Sequence, residues 1–202
     1  MKLYYAQNSR AVRIAWLLEE LGLEYEIEKF TLGDRAMRED DYKSIHPMGR
    51  VPALEDGDVT LFESGAIVQY ILALHAGGQM APKPDSKEFP NYLQWLHYCE
   101  GMIMPPINTI VVETILLPPE RRTELNVKRA TKLLGQMLSA VEAHLQGRAF
   151  LAGDFSGADI MTGHSVIVSR NLAQADFSAF PNLTRYADSL LQRPALKKAM
   201  SL

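Results

Sequence analysis

Apolar residues along the first part of the chain switch between strand spacing and helix spacing. Short β-prone runs occur at residues 3–6 and 25–28. Between them, apolar side chains recur at the helical interval, at Ala11, Ile14, Ala15, Leu17, Leu18 and Leu21. Gly22 followed by Leu23 predicts a Schellman cap at the end of this helix. Strand, helix and strand in so few residues predict a βαβ unit, in which the two strands are parallel.

The next segment predicts a weak helix over residues 35–44, followed by a β-hairpin. Asp56-Gly57 between two apolar runs predicts a two-residue type I′ turn. Pro52 opens the first strand of the hairpin, where its missing N–H costs least. The backbone N–H and C=O of Val51 are then free to pair with an extended, peptide-like ligand.

A helix start follows the hairpin. Ser64 is predicted as the N-cap of a helix whose apolar residues are Ile67, Tyr70, Ile71 and Leu74. The free N–H groups of such a helix start suit a carboxylate, and the neighbouring Glu63 could take an amine. The alternative is that the hairpin only completes a sheet and that Glu63 and Ser64 only begin a helix.

The rest of the chain reads as helical. Residues 75–84 are rich in Gly and Pro and predict a linker. We therefore expect an α/β domain over residues 1–77, a linker over 78–87 and an all-α domain over 88–202. Proline and capping patterns predict helix starts at Asp85 with Glu88, at Pro118-Pro119-Glu120, at Ser156 with Asp159, at Pro181 and at Pro194. Pro105-Pro106 predict a bend inside a long helix.

Composition excludes several classes of protein. The net charge is −3 over 202 residues and no long basic run occurs, which argues against nucleic acid as the main partner. The most apolar stretch, residues 102–117, is shorter than the roughly 20 residues of a membrane-spanning helix. No signal peptide is recognisable at the N-terminus. The single cysteine, Cys99, excludes an intramolecular disulfide and favours a cytoplasmic location.

Absent motifs narrow the chemistry further. No Cys-x-x-Cys occurs, so dithiol exchange is excluded. The five histidines show no metal-binding spacing, so we expect no metal site. Glycine-rich nucleotide motifs are also absent, so no nucleotide cofactor is expected.

Ser9 is the most suggestive single residue. It follows a strand and stands at the positive N-terminal end of the first predicted helix. A thiol held there would ionise below its ordinary pKa of about 8.5, and a hydroxyl donating to the sulfur would favour the thiolate further. Plain N-capping by Ser9 or Asn8 explains the same pattern.

These residues, taken together, resemble the cytosolic glutathione transferases over essentially the whole chain. The resembling segments are residues 3–5, 8–13, 16–23, 46–54, 63–67 and 156–160. The Ser-Arg pair that includes Ser9 and the stretch from Glu100 to Pro106 are most similar to a fungal and bacterial, serine-type branch. The resemblance implies a thioredoxin-like domain that binds glutathione and a helical domain that supplies the pocket for a second substrate.

The resemblance also implies roles for individual residues. Ser9 would stabilise the thiolate of glutathione, with Asn8 and Tyr4 as alternatives in that order. Glutathione itself would contact Arg50, Val51, a cis Pro52, Glu63 and Ser64, and in a homodimer also Glu100 of the neighbouring subunit. The second-substrate pocket would include Tyr4, Met102, Pro105, Pro106, Ile107 and Thr109.

The function that we expect is a detoxifying glutathione S-transferase, which conjugates the glutathione thiolate to a small hydrophobic electrophile. Glutathione is then a co-substrate, and no separate cofactor is expected. Isomerisation, dehalogenation, peroxide reduction and disulfide reduction remain open as variants of the activity. The alternative is a glutathione-binding or hydrophobic-ligand-binding protein with little turnover.

Overall fold

The computed structural model describes residues 1–202, which form two compact units. The first unit comprises Met1–Met80 together with Leu191–Leu202, and the second comprises Ala81–Leu190. The predicted division, with everything after residue 87 in the helical domain, therefore differs from the structure at the C-terminal end. No helix combines the length and the apolar character needed to cross a membrane.

A four-stranded mixed sheet forms the centre of the first unit, with strand order β2-β1-β3-β4. The strands are β1 (Lys2–Ala6), β2 (Glu26–Phe30), β3 (Ala53–Asp56) and β4 (Val59–Phe62). β1 and β2 are parallel, whereas β1–β3 and β3–β4 are antiparallel. The helices of this unit are α1 (Ala11–Leu21), a 3₁₀ turn (Arg35–Arg38), α2 (Asp40–Ile45) and α3 (Ser64–Leu74). The predicted βαβ unit and hairpin are thus confirmed.

The hairpin loop differs from the predicted one by a single residue. Asp56 pairs with Val59, so the two loop residues are Gly57 and Asp58 rather than Asp56 and Gly57. Only Gly57 has a positive φ, 58°. A type I′ turn needs a positive φ at both loop residues, whereas type II′ needs it at the first alone. The type I′ prediction is therefore wrong.

α1 is buried on almost every side. The predicted Schellman cap is present: Gly22 has φ 64°, and the Leu23 N–H donates to the Leu18 carbonyl at 3.0 Å. Opposite the sheet, α1 packs against the C-terminal helix, Pro194–Ser201. Arg193 holds the Glu20 carboxylate through two hydrogen bonds, of 2.5 and 2.7 Å. These contacts explain why the C-terminal helix belongs to the first unit.

The second unit is all-helical, apart from one isolated bridge between Ala152 and Asp154. Its helices are α4 (Phe89–Tyr98), α5 (Met104–Val111), α6 (Glu124–His144), α7 (His164–Asn171) and α8 (Pro181–Leu191), and the C-terminal helix described above is α9. π-helical turns occur at Cys99–Ile103, Val112–Leu116 and Asp159–Gly163, and a 3₁₀ turn occurs at Pro119–Arg121.

Several predicted helix starts differ in detail. Glu88 is the N-cap of α4 but makes no side-chain capping bond, so the capping box of Asp85 with Glu88 is wrong. A π-helical turn, in which the Met104 N–H bonds the Cys99 carbonyl, directly precedes Pro105-Pro106. Prolines lack an N–H, so the regular ladder is interrupted here. Pro119 opens only a short 3₁₀ turn, and α6 begins at Glu124.

The predicted capping role of Asp159 is confirmed. Its fully buried carboxylate accepts the backbone N–H groups of Leu151 at 3.0 Å and Ser156 at 2.9 Å. It also accepts the hydroxyls of Ser156 at 3.2 Å and Tyr186 at 2.7 Å. Pro181 and Pro194 begin α8 and α9, as predicted.

Candidate active site

Three segments of the first unit meet at one end of the sheet. Tyr4 on β1 lies opposite Ala53 on β3, and Ala53 lies opposite Phe62 on β4. Because β3 is antiparallel to both neighbours, its start lies beside the ends of β1 and β4. The loop after β1 (residues 7–10), the residues before β3 and Glu63 after β4 therefore come together. The structure thus gathers the glutathione-binding candidates that the sequence predicted in this unit.

Val51 and Pro52 stand at the centre of this edge. The bond between them is cis, as the resemblance implied. Both ladders of β3 begin at Ala53, so the Val51 N–H and C=O lie outside the sheet. Their pairing with an extended, peptide-like ligand stays a prediction.

The loop that leads into Pro52 is fixed by residues that sequence reasoning missed. The Tyr42 hydroxyl donates to the Arg50 carbonyl at 2.6 Å, and the Gly49 N–H donates to the His46 carbonyl at 2.7 Å. Gly49 has φ 57°, and a Cβ atom there would collide with the Met37 carbonyl, so only glycine fits. The Arg50 side chain is exposed at the end of this braced loop.

His46 lies beneath the same edge. Its ring is only 7% exposed and packs on Phe62, with ring centroids 4.8 Å apart. Nδ1 accepts the Met48 N–H at 3.2 Å. Burial lowers the His46 pKa; the charge of Arg50 acts in the same direction and that of Glu63 opposes it. Arg50 and Glu63 are therefore both close enough to act on one imidazole.

The start of α3 differs from the predicted one. Glu63, not Ser64, occupies the N-cap position, with φ 75° and ψ 109°, so the N-cap role predicted for Ser64 is wrong. A positive φ at a residue other than glycine is strained, and such residues are found at ligand-binding sites. Glu63 is exposed, whereas the Ser64 hydroxyl is buried and accepts Arg13 Nη1 at 3.0 Å. Arg13, which the sequence did not single out, thus joins the starts of α1 and α3.

Ser9 and Asn8 differ sharply in their surroundings. Ser9 Oγ donates to the Ala6 carbonyl at 2.6 Å and accepts the Ala11 N–H at 3.0 Å. Its single proton is therefore already used within the loop, and the N-cap position of α1 is Arg10. Asn8 is exposed and has φ 60°, a conformation that asparagine tolerates better than most residues. Of the two side chains, that of Asn8 is the more exposed.

Tyr4 does not lie where the sequence interpretation placed it. It is 2% exposed and packs in a core cluster with Met37, Tyr42 and Ala53. Its hydroxyl donates to Glu55 at 2.7 Å, toward the end of β1 away from Ser9. Burial and then the Glu55 hydrogen bond raise the Tyr4 pKa. The structure therefore contradicts Tyr4 both as a thiol activator and as a pocket residue.

In the helical unit, Pro105, Pro106 and Thr109 line a groove of about 280 Å³. The groove is completed by four residues of α6 that sequence reasoning missed, Asn126, Arg129, Ala130 and Leu133. Ile107 is only 1% exposed and belongs to the core, which argues against its predicted place in a pocket. Met102 is exposed but does not line this groove, so its pocket assignment stays a prediction. Glu100 lies in the π-helical turn that follows α4.

The two units define a class of protein. A βαβ unit followed by a hairpin and a helix, with a cis-proline before the third strand, is a thioredoxin-like domain, and with an all-helical second unit it forms the glutathione transferase fold. Two family models match the chain: "Glutathione S-transferase, N-terminal domain" over residues 1–73 and "Glutathione S-transferase, C-terminal domain" over residues 103–194. The chain therefore belongs to the glutathione S-transferase family and is a transferase.

Individual relatives agree with this assignment. Glutathione S-transferase 4 of Zea mays is 32% identical over 90% of this chain and 82% of its own length. Glutathione S-transferase 3 of the same plant is 29% identical over 100% of this chain and 93% of its own length.

Solved structures show the same fold. A glutathione transferase from Pseudomonas putida, with one glutathione disulfide bound per subunit, has a TM-score of 0.89 at 26% identity, covering 100% of this chain and 90% of its own. A homologue from Lodderomyces elongisporus, with two glutathione molecules per subunit, has a TM-score of 0.87 at 25% identity, covering 99% and 97%. Plant, bacterial and yeast proteins all match, so the serine-type branch stays a prediction.

Proposed function

We propose that the protein binds glutathione at the sheet edge and conjugates it, through its sulfur, to a small hydrophobic electrophile. One observation carries this proposal: the Val51 backbone, the charged side chains of Arg50 and Glu63, and the loop of Asn8 and Ser9 converge at one end of the sheet. A tripeptide with an amine and a carboxylate at one end, a thiol in the middle and a carboxylate at the other end matches these groups.

Each part of glutathione has a partner in this arrangement. The cysteinyl backbone pairs with the Val51 N–H and C=O. Glu63 takes the γ-glutamyl amine, and the α3 start takes the adjacent carboxylate. Ser64 also contributes, since its oxygen accepts Arg13 and its own proton is available to the ligand. Arg50 reaches the glycyl carboxylate.

The sulfur lies against the loop before α1 in this proposal. Asn8 donates its amide N–H to the sulfur, and the N-terminal end of α1 adds a positive potential. Both favour the thiolate, which attacks the electrophilic carbon while the leaving group departs with its electron pair. Ser9 holds the loop in place through its two hydrogen bonds.

A second candidate function is glutathione binding with little turnover. It is supported by Ser9, whose proton is donated to the Ala6 carbonyl rather than offered to a ligand. If neither Asn8 nor the N-terminal end of α1 stabilises the thiolate in its place, the bound thiol keeps its solution pKa and the protein acts as a binding module.

A titration of bound glutathione separates these functions. Thiolate absorbance is recorded against pH for the complex, and conjugation of chlorodinitrobenzene is measured in parallel. The transferase proposal predicts a thiol pKa clearly below the solution value of about 8.5, together with saturable conjugation. Tight binding with an unshifted thiol pKa and no conjugation would establish the binding module instead.

We further propose a cytoplasmic homodimer. The chain has a single cysteine, the buried Cys99, so it forms no intramolecular disulfide, which suits a reducing compartment. A closed two-fold pair is the commonest assembly, and in it Glu100 would reach the glutathione amine of the neighbouring subunit. Sedimentation at micromolar concentration should show twice the 22.6 kDa chain mass; a monomer would refute the dimer.

A further inference from the structure

His46 holds the start of a loop, residues 46–50, which carries Arg50, one of the proposed glutathione contacts, and leads from α2 towards β3. The His46 N–H donates to the Tyr42 carbonyl at 2.9 Å, and the His46 carbonyl accepts the Gly49 N–H at 2.7 Å. At the other end of the loop, the Tyr42 hydroxyl donates to the Arg50 carbonyl at 2.6 Å. Backbone groups do not titrate and burial raises the Tyr42 pKa, so these three bonds do not depend on pH near neutrality.

A further bond of this loop does depend on protonation. The Met48 N–H donates to His46 Nδ1 at 3.2 Å, so Nδ1 carries no proton and the imidazole is neutral, with its proton on Nε2. In an imidazolium ion both ring nitrogens are donors. Protonation therefore removes the acceptor of the Met48 N–H and sets two N–H groups against each other, which is unfavourable at a buried position.

The surroundings of the His46 ring oppose its protonation. The residue is 7% exposed, and the elements around it contribute the Tyr42 carbonyl of α2 and the uncharged Phe62 of β4. Burial lowers the His46 pKa; Glu63 at the start of α3 favours the imidazolium, and Arg50 on the loop itself disfavours it. A glutathione amine bound at Glu63 would weaken the one charge that favours the imidazolium.

We propose that His46 is a positioning residue that couples glutathione binding to pH. The neutral imidazole holds the loop of residues 46–50 in the conformation that presents Arg50 and the Val51 backbone to the ligand, and protonation of Nδ1 releases the loop. Such coupling is reciprocal, so bound glutathione lowers the proton affinity of His46, and binding in mild acid releases protons. This inference rests on the proposed glutathione site, to which it adds a residue that does not touch the ligand.

Binding of S-methylglutathione tests the coupling, because this ligand has no thiol whose ionisation would add its own pH dependence. Its affinity for the whole protein is measured by calorimetry at pH 7.0 and pH 5.0. The wild-type affinity should fall about fivefold, which corresponds to one hydrogen bond of about 1 kcal/mol. His46→Asn offers the N–H two residues on an acceptor that does not titrate, as in an Asx-turn, so its affinity should fall clearly less. His46→Ala has no acceptor and should bind about fivefold more weakly than His46→Asn at pH 7.0.

His75→Asn is the matched control. His75 is the other histidine of the first unit, and it contacts Asp56 at 2.6 Å, at the opposite end of β3 from the site, so this variant should show the wild-type pH dependence.

Proton release provides a measurement that needs no variant. Calorimetry at pH 6.0 in two buffers of different ionisation enthalpy should show that S-methylglutathione releases a fraction of a proton from the wild-type protein. If no proton is released, or if wild type and His46→Asn lose affinity equally at pH 5.0, the inference fails and glutathione binding stands. If His46→Ala and His46→Asn bind equally at pH 7.0, the bond to the Met48 N–H does not position the loop, and the inference fails as well. If S-methylglutathione does not bind the wild-type protein at pH 7.0, the proposed glutathione site fails and this inference fails with it.

Discussion

The structure of the loop before α1 leads to a specific prediction: replacing Asn8 should impair formation of the glutathione thiolate more than replacing Ser9. Asn8 has φ 60°, so Asn8→Gly removes the carboxamide without forcing alanine into a left-handed conformation. A hydrogen bond to a charged group contributes about 1.5–3 kcal/mol, and one pKa unit corresponds to about 1.4 kcal/mol. The thiol pKa of bound glutathione should therefore rise by about one unit.

Ser9→Ala should have the opposite profile. It deletes the bonds to the Ala6 carbonyl and the Ala11 N–H, so the protein should lose about 1 kcal/mol of stability. The thiol pKa should stay nearly unchanged, because the Ser9 proton is donated to the backbone. Thermal unfolding of the free protein measures the first quantity, and thiolate absorbance against pH in the glutathione complex measures the second.

The rate profile provides an independent check. Below both pKa values, a thiol pKa raised by one unit leaves about one tenth of the thiolate, so kcat/KM of Asn8→Gly should fall about tenfold there and recover at high pH. A titration curve that shifts for Ser9→Ala but not for Asn8→Gly would refute this reasoning. It would show that Ser9, rather than Asn8, stabilises the thiolate. If neither curve shifts, the helix start alone lowers the pKa.

Three further predictions follow from other parts of the structure. Glu63→Gln keeps the size of the side chain and removes its charge, so glutathione affinity should fall about tenfold while Tm stays constant; calorimetry showing wild-type affinity would contradict the role of Glu63. Burial lowers the His46 pKa, so the unfolded chain binds more protons near pH 6 and stability should decrease as the pH falls through about 6.5. His46→Asn retains an acceptor for the Met48 N–H without titrating there, so its Tm should fall less between about pH 7.5 and 5.5; an identical fall would exclude His46 as the cause. Asp159→Asn places an amide group among buried hydrogen-bond donors, so the free energy of unfolding should fall by about 3 kcal/mol, and Tm by roughly 6–12 °C. Tyr186→Phe removes only one of the four donors to the Asp159 carboxylate, so it should lower the stability clearly less.

Local patterns in the sequence were sufficient for most of the fold. The strands of the βαβ unit, the Gly22 cap and the helix starts at Pro181 and Pro194 depend on neighbouring residues, and these predictions were confirmed. The hairpin was predicted in the right place, but its loop was displaced by one residue because Asp56 pairs with Val59. The pairing register of a hairpin depends on the residues of both strands, so a two-residue motif does not determine it.

Non-local packing accounts for what the sequence did not show. Alternation along β1 does not reveal which face is covered, and Tyr4 lies on a covered one. Nothing in the linker indicated that α9 returns to the first unit, since the ion pair of Arg193 with Glu20 joins residues 173 positions apart in the chain. Arg129 was not predicted for the same reason: it lines the same groove as Pro105 only because α5 and α6 pack together.

The candidate site also departs from local rules at its most important positions. Asn8 and Glu63 both have a positive φ. Such conformations persist only where the surrounding structure holds them. Here that support comes from buried groups that do not reach the ligand: Arg13 holds Ser64, and His46 packs on Phe62 directly before Glu63. Propensity rules describe average surroundings, so they fail at residues whose conformation is imposed by others. The proposed glutathione contacts therefore depend on Arg13 and His46 as much as on the residues that would touch the ligand.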